Sequence, residues 1–580
     1  MTEWKYDVVI IGGGPVGLVL GCALQRMKLS TIVVERLVKK DLPVVGRATT
    51  LYPRTLELLD QLDLLEILNQ VAVIARGSVN YKDGKRVTSR GWHAMFSQMS
   101  ETFQNYCINI RITYSEELIA EAYLQQGGKM IVGWEMETME WSKNISVDSP
   151  DGEVTASLRK VDTGARQEIR SFFLVGADGG SSTVRRLAGI TMPLDKSTNT
   201  LIRIDGVIKT DMPEANTGFA SIESPTHGNV LWVALDHGRA RIGYSLNPRL
   251  VEKYGQSMTK EQIMHEAETA MAPFKIKFET VDWHTTYKIN QGVADRFVVD
   301  GRIILAGDSC HIHSSAAAQG MNTGVHDAVN LAWKLGGIIR GWYLPSVMET
   351  YELERRAIAL QLIQLDRDFA SLVRGVIPEK YGGDAAASST DANQLLRQVW
   401  DGSIQFNIGL GIHYPENLIN QAANYGCLIS GRRAPDGLLY APGPRIPQQL
   451  QRITSNKGAY WILVFTGNPL LTIDKLHSLR ASLNHPSSFA QLMHPESLNF
   501  LSILPAWNNQ ARTAMQNLSF GRFWFDVDNS IYDRYGFSAE NGGVAVLRPD
   551  GILAFATQLT AGDEVGEYFR GVAKMQKTGT

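Results

Sequence analysis

Short apolar runs, each ending in a turn rich in glycine and aspartate, recur three times along the chain. They are residues 7–11, residues 173–176 and the pair Leu305-Ala306. Such runs, bounded by turn residues, predict buried strands. Apolar residues follow at helical spacing in residues 18–26 and again in the long stretch after the third run. The pattern predicts strand–turn–helix units and an α/β fold.

Polar and apolar residues alternate instead in the stretch between residues 191 and 289. The alternation is clear in residues 201–210, 229–235 and 239–246, which it predicts as strands of a separate sheet. Residues 76–104, rich in Gly, Arg and Ser, have a similar non-helical texture. We therefore expect these two stretches to form a second domain inserted into the first.

The last part of the chain has its own strand signals. Residues 460–465 predict a buried strand, and residues 544–554 predict two strands joined by a Pro-Asp-Gly turn. Residues 385–391 are a small-residue break, and the prolines of residues 440–450 predict a linker to a final domain.

Bulk composition restricts the class of protein. A chain of 580 residues predicts two to four domains, and 44% apolar with 20% charged residues is typical of a globular protein. The formal charge of −2 gives no electrostatic reason to bind nucleic acid or anionic membranes. The four cysteines are scattered without metal-like spacing, which favours a reducing compartment. With neither a signal peptide nor an apolar stretch of membrane-spanning length, we expect a cytoplasmic protein without a metal.

The first turn carries a nucleotide-binding pattern. Gly12, Gly14 and Gly17 form G-x-G-x-x-G between a strand and a helix, and Glu35 ends the next strand, followed by Arg36. Glycines at these positions allow a tight turn, a close approach to a pyrophosphate and close helix packing, while the acid binds ribose hydroxyls. The pattern in this context predicts a dinucleotide site.

The third turn predicts a binding site for an electron-rich ligand. Asp308 places a carboxylate at a strand end, and the small-residue loop 314–320 exposes backbone N–H groups before a helix. These groups, with the helix dipole behind them, favour a flavin ring, although an ordinary strand-loop-helix unit has the same pattern. The helix opens with Gly320, Met321 and Asn322.

A middle motif completes the set. Residues 178–185, Asp-Gly-x-x-Ser-x-Val-Arg, follow a strand and alone would indicate only a type I turn. The three motifs in this order resemble the FAD-dependent aromatic hydroxylases, the single-component flavoprotein monooxygenases, and within them the phenol-hydroxylase-like subgroup. In that family Asp178 and Arg185 would contact FAD and NAD(P)H, and Asp308 would bind the flavin ribityl chain. Arg47 matches a segment after the second strand, and Arg111 falls where the family usually has a Gln that contacts FAD.

The resemblance implies the architecture. It predicts a discontinuous Rossmann-like FAD-binding domain, an inserted sheet-based substrate domain and a C-terminal thioredoxin-like domain. No cysteine follows Cys427, so the last domain lacks a CxxC pair and is expected to serve packing or oligomerisation, which a homodimer would satisfy. The expected boundaries are 1–75, 105–190 and 290–400 for FAD, 76–104 and 191–289 for substrate, 401–439 for a helical linker and 440–580 for the last domain.

The resemblance also implies a reaction. NAD(P)H reduces FAD, and O₂ then gives a C4a-hydroperoxide that inserts one oxygen atom into a phenolic or related small aromatic substrate. Deprotonating the phenol requires a base, but Thr49 stands where phenol hydroxylase has an aspartate. We predict Tyr244 first and His313 second as the base, with Tyr287 and His93 as further candidates. Alternation places Arg239 and Arg241 opposite Tyr244, hence away from the site.

Two other functions stay open at this point. The missing acid makes a Baeyer-Villiger-type or decarboxylative oxygenation of a ketone, quinone or aromatic acid credible. A non-catalytic FAD-binding sensor is the alternative of another class. Asp178 and Arg185 argue against a sensor, because holding FAD requires no contact to NAD(P)H.

Overall fold

A parallel sheet forms the centre of the first part of the chain. In the computed structural model, Lys5–Ile11 pairs in parallel with Thr31–Glu35 on one side and Arg166–Gly176 on the other. The structure describes residues 5–39, 46, 48–87, 93–143, 152–314, 318–373, 376–383, 392–507, 509–515, 518 and 520–576. The strand order is Val298–Val299, Ile303–Leu305, Arg166–Gly176, Lys5–Ile11, Thr31–Glu35, Lys129–Val132; Val154–Lys160 also pairs with Arg166–Gly176, and Trp134–Trp141 pairs with Val154–Lys160.

Helices cover this first sheet. Pro15–Arg26 packs against both Gln319–Ile339 and Ile112–Gln125, and its residues from Leu18 to Leu24 are buried, because apolar side chains occupy nearly every position. Gln319–Ile339 is buried along almost its whole length. The remaining α-helices that the structure describes before residue 410 are Pro53–Gln61, Leu65–Asn69, His93–Ser97, Thr183–Leu187, Pro248–Tyr254, Lys260–Ala270, Glu349–Val373 and Ala392–Asn407.

The predicted second sheet is present as a separate sheet of eight strands among the described residues. Gly77–Lys82 pairs in parallel with Gly218–Ser224, so the two stretches of alternating texture do join one sheet. The strand order is His311–Ile312, Ile276–Val293, Asp195–Thr210, Arg239–Ser245, Gly228–Leu235, Gly218–Ser224, Gly77–Lys82 and Lys85–Val87. A small third sheet of Thr50–Leu51, Cys107–Asn109 and Val73–Ala75 lies beside it.

The second sheet has two faces of different character. The outer face, with Ile202, Ile204 and Tyr244, is covered by the helix Lys260–Ala270 and forms its own apolar core. The inner face carries Phe219, Val233 and Leu235, which pack with residues of His93–Ser97 and Ala392–Asn407. The inner face is therefore the one turned toward the first domain.

The C-terminal part forms another sheet with helices Pro469–Asn484, Phe489–Leu492, Asn509–Ala514, Ser530–Tyr535 and Gly562–Val572. Tyr460–Phe465 pairs in parallel with Leu498–Pro505 and antiparallel with Gly543–Leu547. The strand order is Pro447–Gln449, Leu438–Tyr440, Arg522–Asp526, Leu498–Pro505, Tyr460–Phe465, Gly543–Leu547 and Leu553–Thr557. Residues 440–450 thus differ from the expected linker: they take part in a hairpin of this sheet, since Leu438–Tyr440 pairs with Pro447–Gln449.

The turn after Gly543–Leu547 inserts a charged residue into the first part of the molecule. Arg548 is fully buried and donates to both carboxylate oxygens of Glu354, to Asp550 and to Asn420. Lys334, also buried, lies 2.9 Å from Glu354. We call Arg548, Glu354, Asp550, Lys334 and Asn420 the docking cluster. Because an unpaired buried charge is costly, these matched charges fix how the C-terminal part lies against Gln319–Ile339.

No helix in the described ranges is long and apolar enough to cross a membrane.

Candidate functional site: a flavin site beneath the second sheet

The glycines of the first turn divide into two roles. Gly12 has a φ of +111°, and a Cβ on it would lie 2.2 Å from Ala177 O; a Cβ on Gly17 would lie 2.1 Å from Gly12 O. These two positions need glycine because backbone approaches closely. A Cβ on Gly14 would meet nothing nearer than Glu116 Oε1 at 3.7 Å. The space above Gly14 is therefore open, as a pyrophosphate requires.

A cavity of about 450 Å³ opens beside this turn, lined by Gly13, Glu35, Lys39 and Glu116 among others. Gly13 N–H and Leu37 N–H each donate to Glu35 at 2.8 Å, which leaves carboxylate lone pairs for ribose hydroxyls. Lys39 Nζ lies 2.7 Å from Gly13 O and 3.0 Å from Glu116 Oε2. Its charge suits a pyrophosphate.

The middle motif ties two loops together. Asp178 accepts hydrogen bonds from Ser182 Oγ and from the backbone N–H groups of Thr183 and Val184, so it caps a short helix. Burial raises the pKa of Asp178, and these hydrogen bonds oppose the rise. Arg185 donates to Gly180 O and to Ser309 O, both at 2.8 Å. Arg185 thus joins this motif to the Gly307–Asp308 turn.

Among the described residues, Asp308 is exposed and unpaired, unlike the neighbouring acids Asp178 and Asp327, which are bound by protein groups. It is exposed at the end of Ile303–Leu305 and makes no hydrogen bond or ion pair with any residue that the structure describes. Gly307, with a φ of +65°, packs on Val16, where a Cβ would lie 2.9 Å from the valine side chain. Beneath the turn, Asp327 accepts from Gly307 N–H and pairs with His311 and Arg355. The turn is rigid, and its carboxylate is free for a ligand.

His313 lies at the start of the loop that leads into Gln319–Ile339. Its ring stacks on His311 with centroids 5.9 Å apart, and its Nδ1 lies 3.3 Å from Ser314 O. Its Nε2 is buried and has no hydrogen-bond partner among the described residues. Burial, and then the neighbouring His311, lower the pKa of His313. The ring is therefore neutral near pH 7 and has an unused nitrogen in the loop.

Asp366, which the sequence analysis did not single out, holds this loop in place. Ser314 donates to Asp366 through both its N–H at 2.8 Å and its Oγ at 2.7 Å. Gln291 Nε2 donates to the same carboxylate at 2.8 Å. One buried acid on the helix Glu349–Val373 thus links the loop to the end of the strand Ile276–Val293 in the second sheet. The only sequence signal is an acid on the apolar face of a helix.

Other predicted cofactor residues have structural duties. Asn322 uses both ends of its amide: it accepts from Tyr52 N–H and Thr55 Oγ1 and donates to Thr50 O and Ala318 O. It therefore anchors the first turn of the helix and has no side-chain group left for a flavin. Met321 is buried, whereas a Cβ on Gly320 would meet only His313 at 3.8 Å.

Arg111 is also committed to protein partners. It donates to Asp236 through its backbone and guanidinium and lies 3.1 Å from Asp282. Burial alone would raise the pKa of Asp236, but the hydrogen bonds from Arg111 outweigh it and lower the pKa. Arg111 anchors the second sheet to the first domain. Arg36 is exposed, and Arg47 lies outside the described residues.

The structure moves Tyr244 out of the site. Its hydroxyl donates to Ile263 O at 2.9 Å within the outer core, and burial raises its pKa far above the usual tyrosine value. The assignment of Tyr244 as base is therefore not supported, because both its position and its pKa oppose it. Alternation did place the arginines opposite Tyr244, but their face is the inner one: Arg241 donates to Gly46 O at 2.8 Å.

The inner face combines an apolar surface with charge. Phe219, Leu231, Val233, Phe96, Trp400 and Ala318 belong to one cluster, which we call the apolar wall. It extends from the sheet to Ala318, the residue before the helix Gln319–Ile339. Beside it lie the paired Arg241 and Asp205, and also Arg203. The inner face thus combines apolar and aromatic side chains with charged groups, the kinds of group that line sites for aromatic ligands.

The residues present fit FAD. The open space at Gly14 suits a pyrophosphate, and the unpaired Asp308 and the unpartnered Nε2 of His313 leave polar groups for the rest of the cofactor.

The comparisons with known proteins agree with this geometry. Residues 5–366 match the family model described as FAD binding domain, and residues 511–577 match that of the phenol hydroxylase C-terminal dimerisation domain. The 3-hydroxybenzoate 4-monooxygenase of Comamonas testosteroni is 25% identical over 97% of this chain and 94% of its own. A Streptomyces rimosus 12-dehydrotetracycline 5-monooxygenase/anhydrotetracycline 6-monooxygenase is 32% identical over 64% of this chain and 70% of its own.

Among solved structures, OxyS anhydrotetracycline hydroxylase from Streptomyces rimosus superposes with a TM-score of 0.67 at 25% identity, covering 98% of this chain and 99% of that one. Fold and site define an FAD-dependent monooxygenase, an oxidoreductase of mixed α/β architecture with a C-terminal domain of the dimerisation type. The chain belongs to the FAD-binding-domain family of aromatic hydroxylases.

Proposed function

We propose that the protein uses NAD(P)H and O₂ to insert one oxygen atom into a phenolic or related electron-rich aromatic substrate. The observation that carries the proposal is the apolar wall, which offers aromatic side chains to a flat ligand. It reaches Ala318, the last residue of the loop that starts at His313 and leads into Gln319–Ile339, which we call the flavin loop. Two relatives support the same substrate class, because their names give 3-hydroxybenzoate for one and 12-dehydrotetracycline and anhydrotetracycline for the other.

When bound, the flavin takes electrons from NAD(P)H and supplies the oxygen chemistry. The protein's own residues bind and orient. Asp308 is placed to accept hydrogen bonds from the ribityl chain, and Lys39 to face the pyrophosphate. The apolar wall excludes water from the space where a substrate ring would lie.

Removal of the phenol proton falls to His313. A neutral imidazole accepts a proton at Nε2, and that atom has no partner among the described residues. The lowered pKa keeps the ring neutral at physiological pH. Thr49, at the usual position of the acid, is buried and has no group of suitable basicity. Arg185, which joins the two loops, is proposed to serve the encounter with NAD(P)H by keeping them in register.

Further features of the proposal concern the whole chain. The order of strands Leu498–Pro505, Tyr460–Phe465, Gly543–Leu547 and Leu553–Thr557 supports a thioredoxin-like C-terminal domain, and its family match supports a homodimer. Membership of the strands in separate sheets supports three domains close to the expected ones, with the last domain beginning at Leu438 and with His311–Ile312 added to the second sheet. Four free cysteines favour a reducing cytoplasm.

The test is oxygen transfer by the purified protein. It should be yellow with one non-covalent FAD, and a substrate phenol should raise NAD(P)H oxidation and acquire one oxygen atom from ¹⁸O₂. A colourless protein that does not take up FAD would contradict the proposal. A yellow protein whose NAD(P)H oxidation no phenol, aromatic acid or polycyclic phenol stimulates would favour the sensor instead.

A further inference from the structure

Arg203 is a buried arginine without an acidic partner. The residue is 9% exposed, and among the described residues it makes one hydrogen bond, from Nη1 to the carbonyl of Ile202 at 2.9 Å. The nearest acid on the same face, Asp205, is bound at both oxygens by Arg241, each at 2.7 Å. The other guanidinium N–H groups of Arg203 therefore have no hydrogen-bond acceptor among the described residues.

Strand register places Arg203 on the inner face of the second sheet. It pairs with Thr285 on one side and with Gly243 on the other, and Gly243 pairs in turn with Leu231. Leu231 belongs to the apolar wall. The row thus leads directly from the arginine to the apolar surface.

Gly243 makes room for the arginine to extend along that row. A Cβ on Gly243 would lie 2.6 Å from Arg203 Nη1 and 2.8 Å from its Cζ. The guanidinium therefore lies across the glycine, toward Leu231. Any larger residue at position 243 would displace it, so the site is built by two strands and not by one flexible side chain.

The position along the strands is also informative. The second sheet is anchored to the first domain at two ends, through Gln291 and Asp366 near the flavin loop and through Arg111 with Asp236 and Asp282 at the other end. Arg203 lies between these anchors on the inner face, because its partner Thr285 stands between Asp282 and Gln291 along Ile276–Val293.

Burial of a cation requires compensation. Burial lowers the pKa of Arg203, but a guanidinium stays protonated, so its charge persists in the protein interior. The charge of Asp205 opposes this effect, but both oxygens of that carboxylate are already bound by Arg241. An anion from outside the chain would satisfy the guanidinium through charge-assisted hydrogen bonds.

We propose that Arg203 binds a negatively charged oxygen of the aromatic substrate, a carboxylate or an ionised ring hydroxyl, and so orients the ring on the apolar wall. This inference rests on the proposed function and adds to it a charge requirement. Arg203 is then a residue that decides specificity, while His313 handles the proton.

The test uses the FAD-loaded enzyme and matched pairs of ligands. Binding of 3-hydroxybenzoate and 3-hydroxybenzamide is measured by the change in flavin absorbance, and the same is done with 4-nitrophenol on both sides of its ionisation and with 4-nitroanisole. The first pair probes a carboxylate and the second an ionised hydroxyl. Wild type should prefer the anionic member of at least one pair. Arg203→Gln should weaken binding of that anion about 10- to 100-fold and leave the neutral member nearly unchanged.

Two further variants keep the result interpretable. Arg203→Lys keeps the charge and should restore part of the preference. Arg86→Gln, on an exposed arginine of the same sheet, should change neither ligand. FAD content and melting temperature show that each variant is folded. Equal loss for anionic and neutral ligands, or no preference for an anion in wild type, would overturn the inference. An enzyme that holds FAD and transfers oxygen would leave the proposed function standing in either case.

Discussion

Two buried arginines, Arg548 and Arg203, show how this molecule treats charge in two regions. Arg548 donates to Glu354, Asp550 and Asn420, and its neighbour Lys334 is paired as well. Arg203 donates to one backbone carbonyl. The docking cluster is complete without a ligand, whereas the inner face and flavin loop leave polar groups unmatched. Because folded proteins rarely leave buried polar groups without partners, the second region is the one prepared for molecules from outside.

The largest effect should come from the unmatched region, at His313. His313→Gln keeps a polar side chain but cannot take a proton, so hydroxylation should fall by about 10²- to 10⁴-fold while NAD(P)H oxidation continues and releases hydrogen peroxide. Coupling in wild type should be constant at neutral pH and fall as the pH drops through the lowered pKa of His313, because the ring is then protonated. Oxygen uptake and product yield measured across pH check both points.

The matched control for this variant is His265→Gln, on the exposed surface of the helix Lys260–Ala270. It should behave as wild type. If His313→Gln stays fully coupled at every pH, His313 is not the base.

The matched region should respond in stability instead. Arg548→Met leaves Glu354 and Asp550 buried without their main cation, and loss of one partner from such a cluster costs about 3–5 kcal/mol in the free energy of unfolding. Denaturant unfolding measures this change. Arg522→Met, an exposed arginine of the same domain, should cost far less. A loss below about 1 kcal/mol for Arg548→Met would show that the docking cluster does not hold the domains together.

Asp308 should affect the cofactor without affecting the fold. Charge-assisted hydrogen bonds contribute about 1.5–3 kcal/mol, so Asp308→Ala should weaken FAD binding by about one to two orders of magnitude. Since Asp308 has no partner among the described residues, the apoprotein should melt as wild type does. FAD titration of the apoprotein gives the affinity, with Asp474→Ala as an exposed control in the C-terminal domain. Unchanged FAD affinity would remove Asp308 from the binding site.

The smallest effect should come from Tyr244. Tyr244→Phe removes one hydrogen bond to Ile263 O, which stabilises the fold by about 1 kcal/mol, and leaves the ring in place. Thermal unfolding should show this loss, while the yield of product per NAD(P)H stays at the wild-type value. Uncoupling in this variant would return the tyrosine to the list of bases and contradict its placement in the outer core.

Local patterns were enough for the dinucleotide end. Gly12, Gly14, Gly17 and Glu35 were predictable because the motif lies directly between a strand and a helix, and because the close approach of Gly17 to Gly12 O falls within that short stretch of chain. Strand positions in the second sheet were also predictable from alternation, and the structure confirms them at residues 201–210 and 239–245.

The orientation of the second sheet could not be predicted. Alternation separates Tyr244 from Arg241 but does not say which face turns toward the flavin. That choice is made by Lys260–Ala270, a helix from later in the chain, which covers the Tyr244 face. From the sequence we expected the face with Tyr244 to line the site. The same expectation wrongly placed Arg239 and Arg241 on the face away from it. The pairing of Arg548 with Glu354, 194 residues apart, likewise has no local signal.

The docking cluster also bears on how such a chain could be recombined. Its members Lys334 and Glu354 lie on the two helices that begin at, or support, the flavin loop, whereas Arg548 lies at the tip of a distant hairpin. A chimera that replaced the last domain alone would remove Arg548 and Asp550 and leave Glu354, with Lys334, buried against a foreign turn. Domain exchange within this family therefore has to transfer the hairpin tip with Arg548 together with the acid that it binds, Glu354.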